Sequence, residues 1–204
     1  SAIVTVVITV GQVLTAILAG YAFAVLDFPF KRTLFVVFLA TLMVPFEVTI
    51  VTHVSTISDL GWYNTYAGLA VPFLATGFGA FLMRQAFLTL PRDLRDAAAL
   101  DGYGHWRFLW RVAVPLARPA VAALTVFAFL AAWNQYLWPT LMTTDETYFT
   151  LVRGIKQVMQ IMIGADIPHY NEGLAMAILA MLPPALVILV FQRMFIKGLV
   201  EQEK

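Results

Sequence analysis

The chain has 204 residues, of which 61% are hydrophobic and only 12% are charged, and its mean hydropathy is +0.81. Soluble domains carry roughly a quarter charged residues, so the composition excludes an ordinary soluble domain and indicates a polytopic membrane protein. The net charge of +1 points to no particular partner, whereas the lack of cysteine excludes disulfides, thiolate metal sites and cysteine nucleophiles.

Five apolar stretches are long enough to cross a membrane. A transmembrane helix needs about 20 mostly apolar residues to span a hydrocarbon core of about 30 Å. The stretches that meet this length are residues 1–26, 33–58, 64–83, 119–144 and 173–191. We therefore predict an all-α polytopic fold with five membrane spans in this chain. Because the sequence starts at Ser1 inside an apolar run, we expect a first span to precede it.

The basic residues are divided unequally between the two sides that five spans create. Most fall on one side: Lys31, Arg32, Arg84, Arg92, Arg95, Arg107, Arg111, Arg118, Arg193, Lys197 and Lys204. Only Arg153 and Lys156 fall on the other, together with the acidic residues Asp59, Asp145, Glu146, Asp166 and Glu172. The positive-inside tendency makes the first side cytoplasmic. We therefore expect Ser1 outside and the C terminus in the cytoplasm.

Prolines interrupt several of the apolar stretches, at positions 45, 72, 115, 119, 139, 183 and 184. In a bilayer, a carbonyl freed by a proline must be satisfied by a neighbouring helix or by water in a cavity. Such breaks favour a bundle with an interior path, although each proline taken alone is equally consistent with a kink that serves packing. Outside the membrane, we expect segment 145–172 to hold a short helix through residues 154–162. It could cap the path or contact an external partner.

The polar loop 90–112 is the longest interruption on the basic side. Pro91 ends one helix, and Asp93 is a suitable N-cap for a second helix over residues 94–101, which Gly102 stops. The i, i+3, i+4, i+7 spacing places small and charged side chains on one face: Leu94, Ala97, Ala98 and Asp101. This face suits a groove on another protein. The alternative is a helix that lies on the membrane surface, with Trp106, Phe108 and Trp110 as anchors.

The motif DAAALDG at 96–102, followed by VAVPL around Pro115, resembles the EAA loop of the membrane subunits of binding-protein-dependent ABC importers. In that family the loop is a coupling helix that docks on a separate ATPase. Asp96, Ala97, Ala98 and Gly102 match the family pattern, with aspartate in place of the usual glutamate. The resemblance implies a set of ATPase-coupling residues: Arg92, Arg95, Asp96, Ala97, Ala98, Asp101 and Gly102.

Further segments resemble the carbohydrate-uptake permeases of the same family, of the maltose type. WNQYLWP at 133–139 is similar to their fifth-helix segment, and VPFEV, YAGL, FLMRQAFLTLP, GIK and QRMFIKGLV are most similar to the Ugp-type subunits. The resemblance implies one transmembrane domain of a type I importer over residues 1–204. It would carry sn-glycerol 3-phosphate or glycerophosphodiesters, such as glycerophosphocholine, by ATP-driven alternating access. A disaccharide or another sugar is the alternative.

The resemblance also implies the partners. They are a second, homologous permease subunit, two cytoplasmic ATPase subunits and an extracytoplasmic binding protein, in the inner membrane of a bacterium. The sequence has no GxxxxGK[ST] phosphate loop. We therefore expect this chain to bind no cofactor, with ATP and magnesium held by the ATPase subunits.

Two polar sites lie inside apolar stretches. Glu47 is a costly charge unless it faces a partner or a wet cavity; it is equally consistent with a solvated position near the outer interface. At the second site, Asn134, Gln135 and Tyr136 stand between Trp133 and Trp138. Helix-to-helix hydrogen bonds explain them, but amide and aromatic groups also suit a wall that binds a polyol. We favour the second interpretation because of the family resemblance.

The phosphate of the implied substrate favours arginine or lysine, yet basic residues are missing from the middle of the spans. We therefore expect another subunit to hold the phosphate, or this one to contact the other end of the substrate. Glu47, together with nearby aromatic residues, could tolerate or attract a cationic head group such as choline. A rival class, an intramembrane enzyme, would need a second polar group opposite Glu47, and the sequence offers none. His53, His105 and His169 lie in different segments, so we expect no shared metal site.

Overall fold

The computed structural model describes residues 1–163 and 170–200, and within these ranges the chain is helical with no strand. Side chains are described through Met159 and again from 171 to 192, apart from Glu172. Several residues used in the charge analysis therefore lie outside the described part, namely Asp166, His169 and Lys204 and the side chains of Glu172, Arg193 and Lys197.

Twelve helices follow one another along the described part of the chain. They are α1 (Ala2–Val25), α2 (Lys31–Ala40), α3 (Phe46–Asp59), α4 (Tyr66–Ala70), α5 (Gly77–Leu88), α6 (Arg92–Leu100), α7 (His105–Phe108), α8 (Val114–Leu116), α9 (Arg118–Trp133), α10 (Leu137–Met142), α11 (Leu151–Ile163) and α12 (Tyr170–Val200). Short 3₁₀ turns lie at 41–43, 71–73 and 146–148, and a π-helical turn at 109–113 joins α7 to α8.

Among the described residues, two helices are continuous candidates for a membrane span. By length and composition, α1 and residues 173–192 of α12 are long and apolar enough to cross. Three bent pairs raise the possible number of spans to five: Lys31–Met43 with Phe46–Asp59 (95°), Tyr66–Phe73 with Gly77–Leu88 (43°), and His105–Leu116 with Arg118–Trp133 (81°). The prediction of five spans therefore stays a prediction.

The predicted stretches 33–58, 64–83 and 119–144 are not continuous helices. Pro45 precedes α3 in an extended conformation, and Pro72 lies in the 3₁₀ turn before α5. Proline lacks the N–H that would continue a helix, so the break falls beside it. The third stretch divides after Trp133, where residues 134–136 separate α9 from α10.

Helix α1 is central to the described bundle, where it packs against α5 and α9. The helices approach closely at Gly20, because a Cβ there would stand 2.6 Å from Cβ of Met83 and 2.8 Å from the Arg84 nitrogen. Ile17, Met83 and Leu124 are almost fully buried in the same cluster. A larger residue at position 20 would push α1 away from α5.

The bend before α5 is stabilised by polar side chains of α1. The amide of Gln12 donates to the Phe73 carbonyl at 2.8 Å, and the Thr15 hydroxyl donates to the Leu74 carbonyl at 2.8 Å. A neighbouring helix thus satisfies carbonyls at the break around Pro72, which is one of the two ways that the sequence left open.

At the other end of the bundle, one polar side chain joins two turns of the chain. Here the positive φ of Asn64 (55°) turns the chain after α3. The Asn64 side-chain oxygen accepts hydrogen bonds from the backbone N–H groups of Thr144 (2.7 Å) and Asp145 (3.1 Å). This one side chain ties the turn after α3 to the turn after α10.

Candidate coupling surface and substrate pathway

Helix α6 forms within the predicted loop, but it begins two residues earlier than predicted. Pro91 is the N-cap residue, in an extended conformation, and Asp93 lies in the first turn. The prediction of Asp93 as N-cap is therefore wrong. A carboxylate in the first turn still interacts favourably with the N-terminal end of the helix dipole, and the alanines that follow have the highest helix propensity.

The C-terminal end of α6 has the geometry of a Schellman motif. Gly102 has φ +76°, the Tyr103 N–H donates to the Ala98 carbonyl at 2.8 Å, and the Gly102 N–H donates to the Ala99 carbonyl at 3.0 Å. These two bonds satisfy carbonyls that have no partner within the helix. The predicted role of Gly102 as the helix stop is confirmed.

The predicted docking face of α6 is divided by the fold. Ala98 is only 8% exposed and packs in the same cluster as Tyr21, Phe87 and Phe108, whereas Leu94, Ala97 and Asp101 are exposed. Ala98 is therefore not available to a partner. The spacing identified residues that share a face but could not show that this face is partly covered by α5 and α7.

The side of α6 opposite Ala98 points away from the bundle and forms what we call the coupling surface: Asp93, Asp96, Leu100 and, at its edge, Ala97, which also belongs to the predicted docking face. All four residues are exposed, and Leu100 reaches 91%. Trp106, 67% exposed, adds a second large apolar group in helix α7. Leu100 is absent from the predicted coupling residues, although its i+4 spacing from Asp96 places it on this side.

The two arginines of the predicted coupling set have different surroundings. Arg92 is exposed, while Arg95 is half-buried and donates to the carbonyl of Val25 at the end of α1 (3.5 Å). A second link joins α7 to α1, since the Tyr21 hydroxyl lies 3.2 Å from Nδ1 of His105. Movement of α6 and α7 would therefore be transmitted to α1.

Glu47 lies in the first turn of α3, directly after the 95° bend, and its side chain is exposed. The N-terminal end of a helix favours a carboxylate at this position. Beside it, Phe46 stacks on the ring of His53 with centroids 5.5 Å apart. No ion pair joins Glu47 to another residue in the described part of the chain.

The two tryptophans of the predicted substrate pathway are packing residues. Trp138 is 2% exposed and donates its indole N–H to the Gly68 carbonyl at 3.0 Å. Trp133 is 8% exposed and donates to the Ala180 carbonyl of α12 at 3.1 Å. Because both rings are covered and both N–H groups are satisfied, we remove Trp133 and Trp138 from the pathway.

The break between α9 and α10 keeps the three other predicted pathway residues together. Asn134 is exposed and donates to the Leu130 carbonyl at 2.8 Å. The side-chain oxygen of Gln135 is buried without a hydrogen-bond partner within the described part of the chain. Tyr136 is half-buried. Gln135 therefore has an unused acceptor where the helix is interrupted.

Helix α11 brings two cations to this break. The predicted helix through 154–162 is present and runs from Leu151 to Ile163. The ammonium of Lys156 lies 4.0 Å from the ring centroid of Tyr136. Arg153 donates to the carbonyls of Pro139 and Thr143, and burial lowers the pKa of its guanidinium. Both cations are predicted on the outer side, but the contact between Lys156 and Tyr136 depends on the fold and has no signal in the sequence.

Residues 12–201 match the family described as binding-protein-dependent transport system inner membrane component. The chain is similar to the sn-glycerol-3-phosphate transport system permease protein UgpE of Yersinia pestis, with 41% identity over 197 residues, covering 97% of this chain and 69% of that protein. UgpE of Agrobacterium fabrum is 41% identical over the whole chain and 72% of its own length. UgpE of Rhizobium meliloti is 40% identical over 99% of the chain and 71% of its length.

A solved structure has the same fold. The chain superposes with a TM-score of 0.79 and 22% identity on a chain from the crystal structure of a bacterial ABC transporter involved in the import of the acidic polysaccharide alginate. The alignment covers 93% of this chain and 72% of the other.

Proposed function

The chain belongs to the family of inner membrane components of binding-protein-dependent transport systems, and we propose that it moves sn-glycerol 3-phosphate or glycerophosphodiesters across the membrane. It is a transport subunit and not an enzyme. The observation that carries the substrate assignment is the identity of about 41% to UgpE proteins over nearly the whole chain.

The site geometry supports a phosphate-bearing substrate. The sequence offered amide and hydroxyl groups at Asn134, Gln135 and Tyr136 but no cation beside them. Helix α11 supplies that cation, since Lys156 lies against the ring of Tyr136. An ammonium beside hydroxyl and amide groups suits a glycerol phosphate, with its anionic end and its hydroxyls.

The proposed mechanism is alternating access coupled through α6. The coupling surface docks on one of two ATPase subunits, which bind ATP and magnesium, and a second, homologous permease chain completes the path. ATP-driven closure of the ATPases moves α6, and the contacts of Arg95 and His105 with α1 pass this movement to the bundle. The chain acts by differential binding of its partners in two conformations.

The proposed orientation places α6 and the C terminus in the cytoplasm and α11 outside. It follows the positive-inside tendency, because the segment around α6 carries six arginines and no lysine: Arg84, Arg92, Arg95, Arg107, Arg111 and Arg118. An extracytoplasmic binding protein delivers the substrate on the α11 side.

The decisive experiment is ATPase stimulation of the reconstituted complex by its loaded binding protein. We expect stimulation with sn-glycerol 3-phosphate and with glycerophosphocholine, and none with a disaccharide. Stimulation by the disaccharide alone would contradict the substrate proposal while keeping the importer and its coupling surface. A complex that shows no stimulation with any of the three would overturn the assignment to this substrate class and to the sugar alternative together.

A further inference from the structure

Two adjoining cavities lie beside the C-terminal end of α1, and we call them together the basic recess. The first has a volume of about 430 Å³ and lies between α1, α2 and α5; its cations are Lys31, Arg32 and Arg84. The second, of about 350 Å³, extends to α6 and includes Arg92 and Arg95. Lys31 lines both cavities, so five cations surround one recess.

Three of these cations donate hydrogen bonds to backbone carbonyls at the C-terminal end of α1. The last carbonyls of a helix have no partner within it and carry the negative end of the dipole. Lys31 donates to the carbonyls of Ala24 (3.4 Å) and Leu26 (2.6 Å). Arg84 donates from Nε to the Phe23 carbonyl (3.2 Å), and Arg95 from Nη1 to that of Val25 (3.5 Å).

These contacts do not neutralise the positive charge of the recess. Each guanidinium has five N–H donors in a fork that matches phosphate, and Arg84 and Arg95 use one nitrogen each on α1. The nearby carboxylates are exposed: Asp27 is 3.8 Å from Lys31 with its side chain 99% exposed, and Asp96 is 4.0 Å from Arg95 with 72% exposed. Arg32 forms no ion pair with any described residue. The recess therefore has an excess of cations.

The recess is also amphipathic. Phe23, Phe35 and Val36 line the side toward α2, and Val36 is 64% exposed on the outer surface of the bundle. The Arg84 guanidinium lies 4.1 Å from the ring centroid of Phe35, at the border between the apolar wall and the cations. A soluble phosphate would use only the cations, whereas a phospholipid would use both parts.

We propose that the basic recess binds an anionic phospholipid, with the phosphate among Lys31, Arg32 and Arg84 and an acyl chain along the exposed Val36. Basic pockets between transmembrane helices on the cytoplasmic side suit anionic head groups, which are abundant in that leaflet. The inference rests on the proposed orientation but not on the proposed substrate. Because Arg92 and Arg95 of α6 line the same recess, the lipid braces α6 against α1 and favours coupling.

The test uses the assembled complex in nanodiscs of phosphatidylcholine with or without phosphatidylglycerol. Native mass spectrometry would count the phosphatidylglycerol molecules retained by the wild type, by Arg32→Gln and by Arg111→Gln. Arg111 is the matched control, because it is exposed on the same side and lines neither cavity. We expect Arg32→Gln to weaken retention about fivefold, since a cation near the surface contributes about that factor, and Arg111→Gln to leave it unchanged.

Two outcomes would overturn the proposal. One is equal retention of phosphatidylglycerol by the wild type and Arg32→Gln. The other is displacement of phosphatidylglycerol by inorganic phosphate or sn-glycerol 3-phosphate at low concentration, which would assign the recess to a soluble anion. Both readouts are independent of transport, so they separate this inference from the substrate proposal.

Discussion

At the scale of single residues, Lys156 is the clearest test of the substrate proposal. Its ammonium lies against Tyr136, and a charge-assisted hydrogen bond to a substrate phosphate contributes about 1.5 to 3 kcal/mol. We expect Lys156→Gln to lower transport of sn-glycerol 3-phosphate at least about tenfold at saturating loaded binding protein. Lys156→Arg keeps the charge and should retain most of the rate. Equal rates in proteoliposomes for Lys156→Gln and the wild type would contradict a role in binding phosphate.

Glu47 tests the other end of the substrate. If its carboxylate attracts the choline of glycerophosphocholine, Glu47→Gln should lower the transport of this diester by up to about fivefold relative to sn-glycerol 3-phosphate, since an exposed ion pair contributes at most about 1 kcal/mol. Asp59→Asn is the control, because Asp59 is an exposed carboxylate on the same helix. The measurement is the ratio of the two uptake rates. An unchanged ratio in Glu47→Gln would remove Glu47 from the pathway.

The tryptophans show where residue-level prediction stops. Trp133 and Trp138 flank the polar triplet in sequence, and their rings suit a polyol-binding wall as well as a core. Their burial depends on α12 and α4, whose carbonyls accept the two indole N–H bonds. These contacts join residues 47 and 70 positions apart, so no local pattern could reveal them.

At the scale of elements, the stop of α6 depends on one backbone conformation. Gly102 has φ +76° with open space where a Cβ would stand, whereas Gly104 has equally open space and an ordinary φ of −73°. Gly102→Ala should therefore destabilise the turn by about 1 kcal/mol, and Gly104→Ala should not. The thermal unfolding midpoint of the assembled complex should fall for the first variant alone. An equal shift for both would show that the left-handed turn is not what matters.

The sequence predicted the elements unevenly, for physical reasons. The coupling-loop helix and its glycine stop were found because caps and stops are local signals. Helices α1 and α11 were predicted because a continuous segment of the chain forms each of them. The breaks at Pro45 and Pro72 were noted, but the bend angles of 95° and 43° depend on neighbouring helices. At the second bend those neighbours include Gln12 and Thr15, which hydrogen-bond to the freed carbonyls.

At the scale of the whole molecule, composition and spacing predicted an all-helical membrane protein, the described part of the chain is helical without strands, and the resemblance supplied the family. Neither could decide which side of α6 faces outward, because that depends on how α5 and α7 pack around Ala98. The burial of Ala98 decides which substitution can test docking on the ATPase. Ala98→Arg would place a charge in the core of the chain itself, so lost assembly would not show that a docking contact had been removed.

Leu100→Arg is the sharper test of the coupling surface. Leu100 is 91% exposed, so the substitution leaves the bundle intact but places a desolvated charge in an interface with the ATPase. We expect the purified permease pair to lose binding of the ATPase subunits by at least about tenfold. Ala99→Arg is the matched control, because the adjacent residue is also exposed but points about 100° around the helix. If both variants retain the ATPase equally, the assembly is not held by this side of α6. If both variants lose ATPase binding equally, the interface extends around α6 beyond the four residues of the coupling surface.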